Sequence, residues 1–280
     1  MSPHTIWRII PPEPASGPWN MAVDEALLEV VATGRSGPVL RFYTWNAPWF
    51  SIGCAQRLRD DIRVDRVWER GIGLLRRASG GTAVLHADQV GFALVLPDHH
   101  PLASPDIVES YERLGLPVAT ALARLGLPVR AVGVAEARGA VVDPVGRRAC
   151  FGSLSPYETV VDDGSGGLRK LTGHGQVRRR GVVMHHVVLS WRFDAGSLAS
   201  LLRTTDEVTL ASFLARNIAS LADCGLTESA LPTVVESIAG SLGAAGNGWL
   251  EQSALSEAER LRANELIATK YGDDAWLCRL

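Results

Sequence analysis

Two stretches of this chain hold residues whose types and spacing could do chemistry. The first covers residues 76–86, Arg-Arg-Ala-Ser-Gly-Gly-Thr-Ala-Val-Leu-His. Apolar residues precede it (Ile72, Leu74, Leu75) and follow it (Val90 to Leu96), so it reads as a tight loop between two strands. Gly80 and Gly81 permit φ > 0 and let a ligand lie against the main chain, while Arg76 and Arg77 bring fixed positive charge. Such a loop suits an anionic or acyl-carrying ligand. By composition alone, an ordinary Ser-Gly-Gly hairpin turn with two solvated arginines fits as well. The second stretch centres on Cys150, which follows Arg147 and Arg148. Neighbouring guanidinium groups favour the thiolate, the form that attacks carbonyl carbon. Lys170, in Arg-Lys-Leu-Thr-Gly about one hairpin further on, could hold that thiolate or, when neutral, act as a base. Spacing does not bring the two side chains together. Taken by itself, a small buried thiol is the plainer reading of Cys150.

Other chemistries lack their residues. The chain has no Gly-x-x-x-x-Gly-Lys-Ser/Thr phosphate loop, no His-Glu-x-x-His and no Gly-x-Ser-x-Gly elbow. His99 and His100 read as an exposed loop beside Pro101. His185 and His186 fall in a strand, where adjacent side chains face opposite ways, one toward a site and the other toward solvent. Cys54, Cys150, Cys224 and Cys278 lie far apart with no Cys-x-x-Cys pair, so no zinc site or disulfide framework is expected and no metal is assigned. Arg178-Arg179-Arg180 is a local basic cluster in a chain of net charge −2. It reads as a solvated turn, or as a docking patch for an acidic protein.

The elements that must position these residues follow from the pattern. With 280 residues, 46% hydrophobic and 21% charged, the chain is expected to bury a sizeable core as a single catalytic domain over residues 1–280. Its charge gives no bias toward nucleic acid or membrane, the N-terminus lacks signal-peptide features, and no apolar run approaches the roughly 20 residues that span a bilayer. A cytoplasmic protein is expected. Strands are expected over 5–10, 39–45 and 50–54, with a helix between the first two capped by Asn20 or a neighbour, Asp24 and Glu25 in its first turn, and Gly34 at its end. Residues 60–70 read as a helix stopped by Gly71, and 104–125 as the longest helix, kinked or divided by Pro117. Residues 137–147 read as a mobile loop, and 149–154, 157–161, 169–176 and 182–191 as strands. From residue 195 onward the pattern turns helical, over 198–202, 210–221, 231–242 and 257–269. This is an α+β order, with C-terminal helices packed on the strands.

Several segments resemble one known family. Trp19-Asn-Met-Ala-Val-Asp-Glu-Ala26 is similar to the first helix of the biotin/lipoate protein ligase and lipoyl octanoyltransferase superfamily. Leu40-Arg-Phe-Tyr-Thr-Trp45 with Ser51-Ile52-Gly53 resembles its next hairpin, residues 76–86 its acyl-binding loop, and Arg169-Lys170-Leu171-Thr172-Gly173 its substrate lysine strand. Ala268-Thr269-Lys270-Tyr271 with Trp276 resembles the closing helix, so the match spans almost the whole chain. The resemblance implies a mixed central β-sheet with flanking helices. It implies substrate-binding roles for Arg76, Arg77, Ser79, Gly80, Gly81, His86, Gly173, His174 and His186.

Within that superfamily, ligases activate lipoate with ATP and Mg²⁺, whereas octanoyltransferases pass an acyl group through a cysteine thioester. Ala149-Cys150-Phe151-Gly152, followed by Tyr157-Glu158, resembles the single-domain octanoyltransferases of the LipM type and places Cys150 where they carry the acyl-accepting cysteine. This implies Cys150 and Lys170 as catalytic residues and no cofactor. The implied partners are octanoyl-acyl carrier protein as donor and a lipoyl domain as acceptor, in glycine cleavage H protein or a 2-oxoacid dehydrogenase E2, with no nucleic-acid or membrane partner. An ATP-dependent lipoate ligase, an octanoyl amidotransferase between lipoyl domains and a non-catalytic acyl- or lipoyl-domain-binding protein stand as alternatives. The chain departs from the family at His174-Gly175-Gln176, where Ser-Ala-Gln is usual, at Thr82-Ala83 after the paired glycines, and at Val187 after His186.

Overall fold

A computed structural model describes residues 5–139, 153–162 and 167–280. The N-terminal half begins with β1 (Thr5–Ile10), the short β2 (Pro14–Ala15) and α1 (Gly17–Ala32). There follow β3 (Val39–Trp45), β4 (Trp49–Ile52), α2 (Leu58–Asp61), α3 (Val64–Glu69), β5 (Gly73–Arg76), β6 (Val84–His86), β7 (Gln89–Pro97) and α4 (Ile107–Arg124). The remainder comprises β8 (Val129–Ala131), α5 (Val134–Gly139), β9 (Thr159–Val161), β10 (Arg169–Lys170), β11 (Thr172–Arg179), β12 (Val182–Ser190), α6 (Ala195–Leu201) and α7 (Glu207–Asn217). It ends with α8 (Leu231–Ala245), β13 (Gly248–Gln252), α9 (Glu257–Leu266), a π-helical turn over Ile267–Tyr271, and α10 (Asp274–Leu277).

The central sheet has the order β11-β12-β7-β3-β1-β13, with β2 alongside β3. Pairing is antiparallel from β11 to β3 and parallel from β3 through β1 to β13. It is the expected mixed sheet with flanking helices. Every residue of β12 and eight of nine in β7 are buried, so both faces of the sheet's middle must be covered. On one face, Leu27, Leu28 and Val31 of α1 pack with Tyr43, Val95 and Met184. On the other, Val118 and Leu122 of α4 and Ile238 and Leu242 of α8 pack with Phe42, Phe92, Leu94 and Val187. Ser237 and Ser241 of α8 tie that pair together by donating to the Ala121 and Pro117 carbonyls. Two small sheets, β5-β4-β6 and β10-β9-β8, flank the large one. Among the described residues no helix is long and apolar enough to cross a membrane.

Several expectations need correction. The cap of α1 is Ser16, whose hydroxyl accepts from the Trp19 amide, while Asn20, Asp24 and Glu25 lie buried within the helix. Helix α4 runs through Pro117 unbroken, because its packing on α8 outweighs one lost hydrogen bond. The expected helix over 60–70 splits into α2 and α3 at Ile62, which bridges to Leu202 and is wholly buried. The strand over 169–176 breaks at Leu171: Lys170 pairs into one sheet and Thr172 into another. Strand β13 has no counterpart in the expected elements, since its half-exposed Gly-Trp-Leu-Glu-Gln carries little hydrophobic signal. Residues 134–139 are helical; most of the expected loop over 137–147, and residues 149–152 of the next expected strand, lie outside the described residues.

Candidate active site

Gly175, His186, Ala93 and Arg41 stand in register across β11, β12, β7 and β3. Residues paired this way share one face, here the face covered by α1. The small Ala93 side chain leaves room between His186 and Arg41, and Asp24 of α1 fills it. Asp24 Oδ1 accepts from Arg41 Nη1 at 2.6 Å, and Asp24 Oδ2 lies 3.1 Å from His186 Nε2. Arg41 also donates to the Asn20 carbonyl and side-chain oxygens, so its buried charge is matched throughout. The other imidazole nitrogen, His186 Nδ1, lies 3.2 Å from Ser79 Oγ. The carboxylate beside Nε2 holds the imidazole proton there and leaves Nδ1 to accept from the serine. Gly175 keeps the approach to Ser79 open, because a methyl group there would stand 3.5 Å from Ser79 Oγ.

Ser79 is presented by the loop between β5 and β6. Arg77 gathers that loop by donating to the Gly80 and Thr82 carbonyls at 2.9 and 2.7 Å and to Ser51 Oγ at 3.1 Å. Gly81 adopts φ of 87°, which favours glycine, and its carbonyl oxygen would lie 1.9 Å from a methyl group on Gly53, so the two backbones touch only because residue 53 is glycine. His86 is pinned between Ser51 Oγ at 2.7 Å and Gln89 Oε1 at 2.8 Å and stacks on Trp45 with ring centres 4.0 Å apart. Burial pushes its pKa down to about 3, so it is neutral. Arg77, Ser79, Gly80, His86, Gly173, His174 and His186 share one cleft, with Met21, Tyr43, Val84 and Val188 supplying apolar wall.

Lys170 is not among the described residues that line that cleft, though its charge reaches His174 there. Its buried Nζ lies 2.8 Å from Glu158 Oε2 and donates to the Ser153 carbonyl at 2.9 Å. Glu158 also accepts the amides of Ser155 and His174. Burial raises the Glu158 pKa, against the pull of Lys170 and both amides. His174 links the two places: it borders the cleft, and its amide reaches Glu158. Burial, with the Lys170 charge second, holds its imidazole neutral with a pKa of about 3. Cys150, expected to pair with Lys170, lies outside the described residues.

Arg76 is not beside the cleft. Alternation along β5 turns it away from Arg77, and its buried guanidinium donates to the carbonyls of Gly53, Gln56, Trp276 and Leu277. Gly81 faces Gly53 and is likewise absent from the lining. His185 does not reach solvent; it is fully buried toward α4, 3.1 Å from Ser110 Oγ. His100 is also buried, edge-on to Trp7, while His99 is exposed. Asp24 and Arg41 belong to this site although no catalytic motif marks them. Their signal was a charged residue at a buried position of a helix and of a strand.

Residues 16–243 match the lipoyl protein ligase A/B catalytic domain. The octanoyltransferase LipM of Brevibacillus brevis is 33% identical over 98% of this chain and 99% of its own length. That of Moorella thermoacetica is 34% identical over 99% of each. Among solved structures, the bipartite lipoate protein ligase of Thermoplasma acidophilum superimposes with a TM-score of 0.79 at 20% identity, over 99% of this chain and 98% of that one. A lipoate-protein ligase A bound with ATP gives 0.76 at 21%, over 99% and 100%. At such identities the two structures speak for the fold alone. A family match over most of the chain, joined by full-length relatives above 30% identity, places this protein in the lipoyl protein ligase A/B catalytic domain family.

Proposed function

We propose that this protein is an octanoyltransferase of lipoate biosynthesis. It takes an octanoyl group from octanoyl-acyl carrier protein as a thioester on Cys150 and passes it to a lysine of a lipoyl domain. The observation that carries this reading is the end-to-end similarity to octanoyltransferases, at 33% and 34% identity over 98% and 99% of the chain. The cleft suits such a ligand. Met21, Val84 and Val188 offer apolar contact to an alkyl chain, each buried CH₂ contributing about 0.8 kcal/mol. The main chain around Gly80 offers polar partners to an acyl carbonyl.

Thioester exchange conserves the reactive bond, so the first step needs no nucleotide, and the second ends in a more stable amide. Lys170, in its ion pair with Glu158, contributes positive charge that favours the Cys150 thiolate and the tetrahedral oxyanion. The acceptors that fit this chemistry are glycine cleavage H protein and the E2 chains of 2-oxoacid dehydrogenases. The test is incubation with octanoyl-acyl carrier protein in the absence of ATP, followed by intact-mass measurement. Wild type is expected to gain one octanoyl group and Cys150→Ala none; equal behaviour of the two would sink the reading.

A further inference from the structure

We propose that Ser79, His186 and Asp24 form a proton relay that deprotonates the acceptor lysine, an inference that rests on the octanoyltransferase reading. An incoming lysine is an ammonium near neutral pH, with an unperturbed pKa of about 10.4, and has no lone pair until a proton leaves. Lys170 is engaged with Glu158 and the Ser153 carbonyl, and as the cation of that ion pair it has no lone pair with which to take a proton. Ser79 and His186 line the cleft. The Ser79 hydroxyl donates to His186 Nδ1 at 3.2 Å, which leaves the oxygen lone pairs for a donor arriving through the cleft. His186 Nε2 is held by Asp24 at 3.1 Å, and Asp24 is itself anchored by Arg41 at 2.6 Å. A carboxylate in this position fixes the tautomer and offsets the charge that the imidazole gains when it takes a proton. Ser79 and Asp24 are fully buried and His186 is 8% exposed, so that offset acts through little water. The other charged or titratable groups around His186 are Arg41, Tyr43, Arg77, His86, His174 and His185. Burial holds the three histidines neutral at about 3 and keeps the Tyr43 hydroxyl protonated, so none of these groups takes a proton at neutral pH.

The step balances. One proton leaves the lysine ammonium for Ser79 Oγ as the hydroxyl proton passes to His186 Nδ1. The freed amine forms a C–N bond to the acyl carbonyl carbon, the C–S bond breaks, and the departing thiolate takes the second nitrogen proton. The imidazolium then returns its proton to solvent. Ser79 is the residue that touches the reacting nitrogen; His186 and Asp24 act through it.

The experiment isolates the second half of the reaction. Enzyme is loaded with octanoyl groups, freed of donor and mixed with a lipoyl-domain protein, and loss of the acyl-enzyme is followed by mass over a range of pH. His186→Gln and Ser79→Ala are each expected to slow discharge to lysine about 100-fold or more, as loss of a general base does, and to steepen its dependence on pH. Hydroxylamine, already neutral, is expected to show a much smaller deficit. Asp24→Asn, which keeps the size and an acceptor for Arg41, is expected to give the same signature at lower amplitude and stands in if the first two variants fold poorly. Discharge at wild-type rate in these variants, or equal losses for lysine and hydroxylamine, overturns the relay alone. A wild type that never loads overturns the octanoyltransferase reading, and the relay with it.

Discussion

Arg76 and Arg77 are neighbours in the chain with separate tasks. Arg77 shapes the loop that presents Ser79, whereas Arg76 clasps carbonyls of residues 53–56 and of the C-terminal segment. Arg76→Ala strands several buried carbonyls, each costing about 1–3 kcal/mol when left without a donor. The variant is expected to lose at least about 3 kcal/mol in urea unfolding and to expose the C-terminal segment to protease. Lys170→Met leaves Glu158 buried without its cation, and removing one partner of such a pair costs about 3–5 kcal/mol. Adding Glu158→Gln is expected to restore much of that stability in the same assay while transfer stays lost. The loop over 76–86 was legible in the sequence as a tight turn between two strands, because serine and paired glycines interrupt apolar runs there, and only the family resemblance pointed it toward an acyl group. The division of labour between two arginines was not, because it depends on which way each side chain leaves its strand.

Three buried histidines on three strands, β6, β11 and β12, make the sheets sensitive to acid. Burial lowers the pKa of His86, His174 and His185 to about 3 each, against an ordinary value near 6.5. Below that ordinary value the unfolded chain binds protons that the folded chain refuses. Stability is therefore expected to fall as pH drops from about 6.5 toward 4, by about 1.4 kcal/mol per pH unit for each histidine. The raised Glu158 pKa works the other way, since that carboxyl takes its proton more readily when folded. Urea unfolding at pH values spanning this window measures the slope, and His185→Gln is expected to flatten it by one histidine's share. Most elements followed from periodicity. The exceptions mark where tertiary packing decides: the uninterrupted α4, the break at Leu171 that sends adjacent residues into two sheets, and the buried polar stripe of α1. Asp24 fits between His186 and Arg41 because Ala93, which stands between them in register, is small, a fact of pairing across three strands.

On the scale of the whole molecule, the basic hairpin between β11 and β12 lies near the cleft. Arg178 is three residues beyond Gly175, about 10 Å along the strand, and Arg180 and Gly181 turn the chain with positive φ. Arg179 is held by Glu25 of α1, so under the proposed function Arg178 and Arg180 carry the exposed charge that an acidic carrier protein would meet. Reversing both to Glu is expected to raise KM for the carrier-bound donor about tenfold, with a weaker salt dependence. The octanoyl thioester of a small soluble thiol is expected to react as before, and steady-state kinetics with the two donors checks this. The same scale shows a different property in the sheet's far edge. Thr5 of β1 pairs in parallel with Gly248 of β13, across almost the entire chain. A contact so distant in sequence forms late, since the intervening loop must close before the pairing rewards it. Until then β1 presents an unpaired edge beside an already assembled β3, and such an edge is a template for another copy of the chain. Refolding yield should therefore fall as protein concentration rises, and pulse-labelled hydrogen exchange should find the β1–β13 amides protected last.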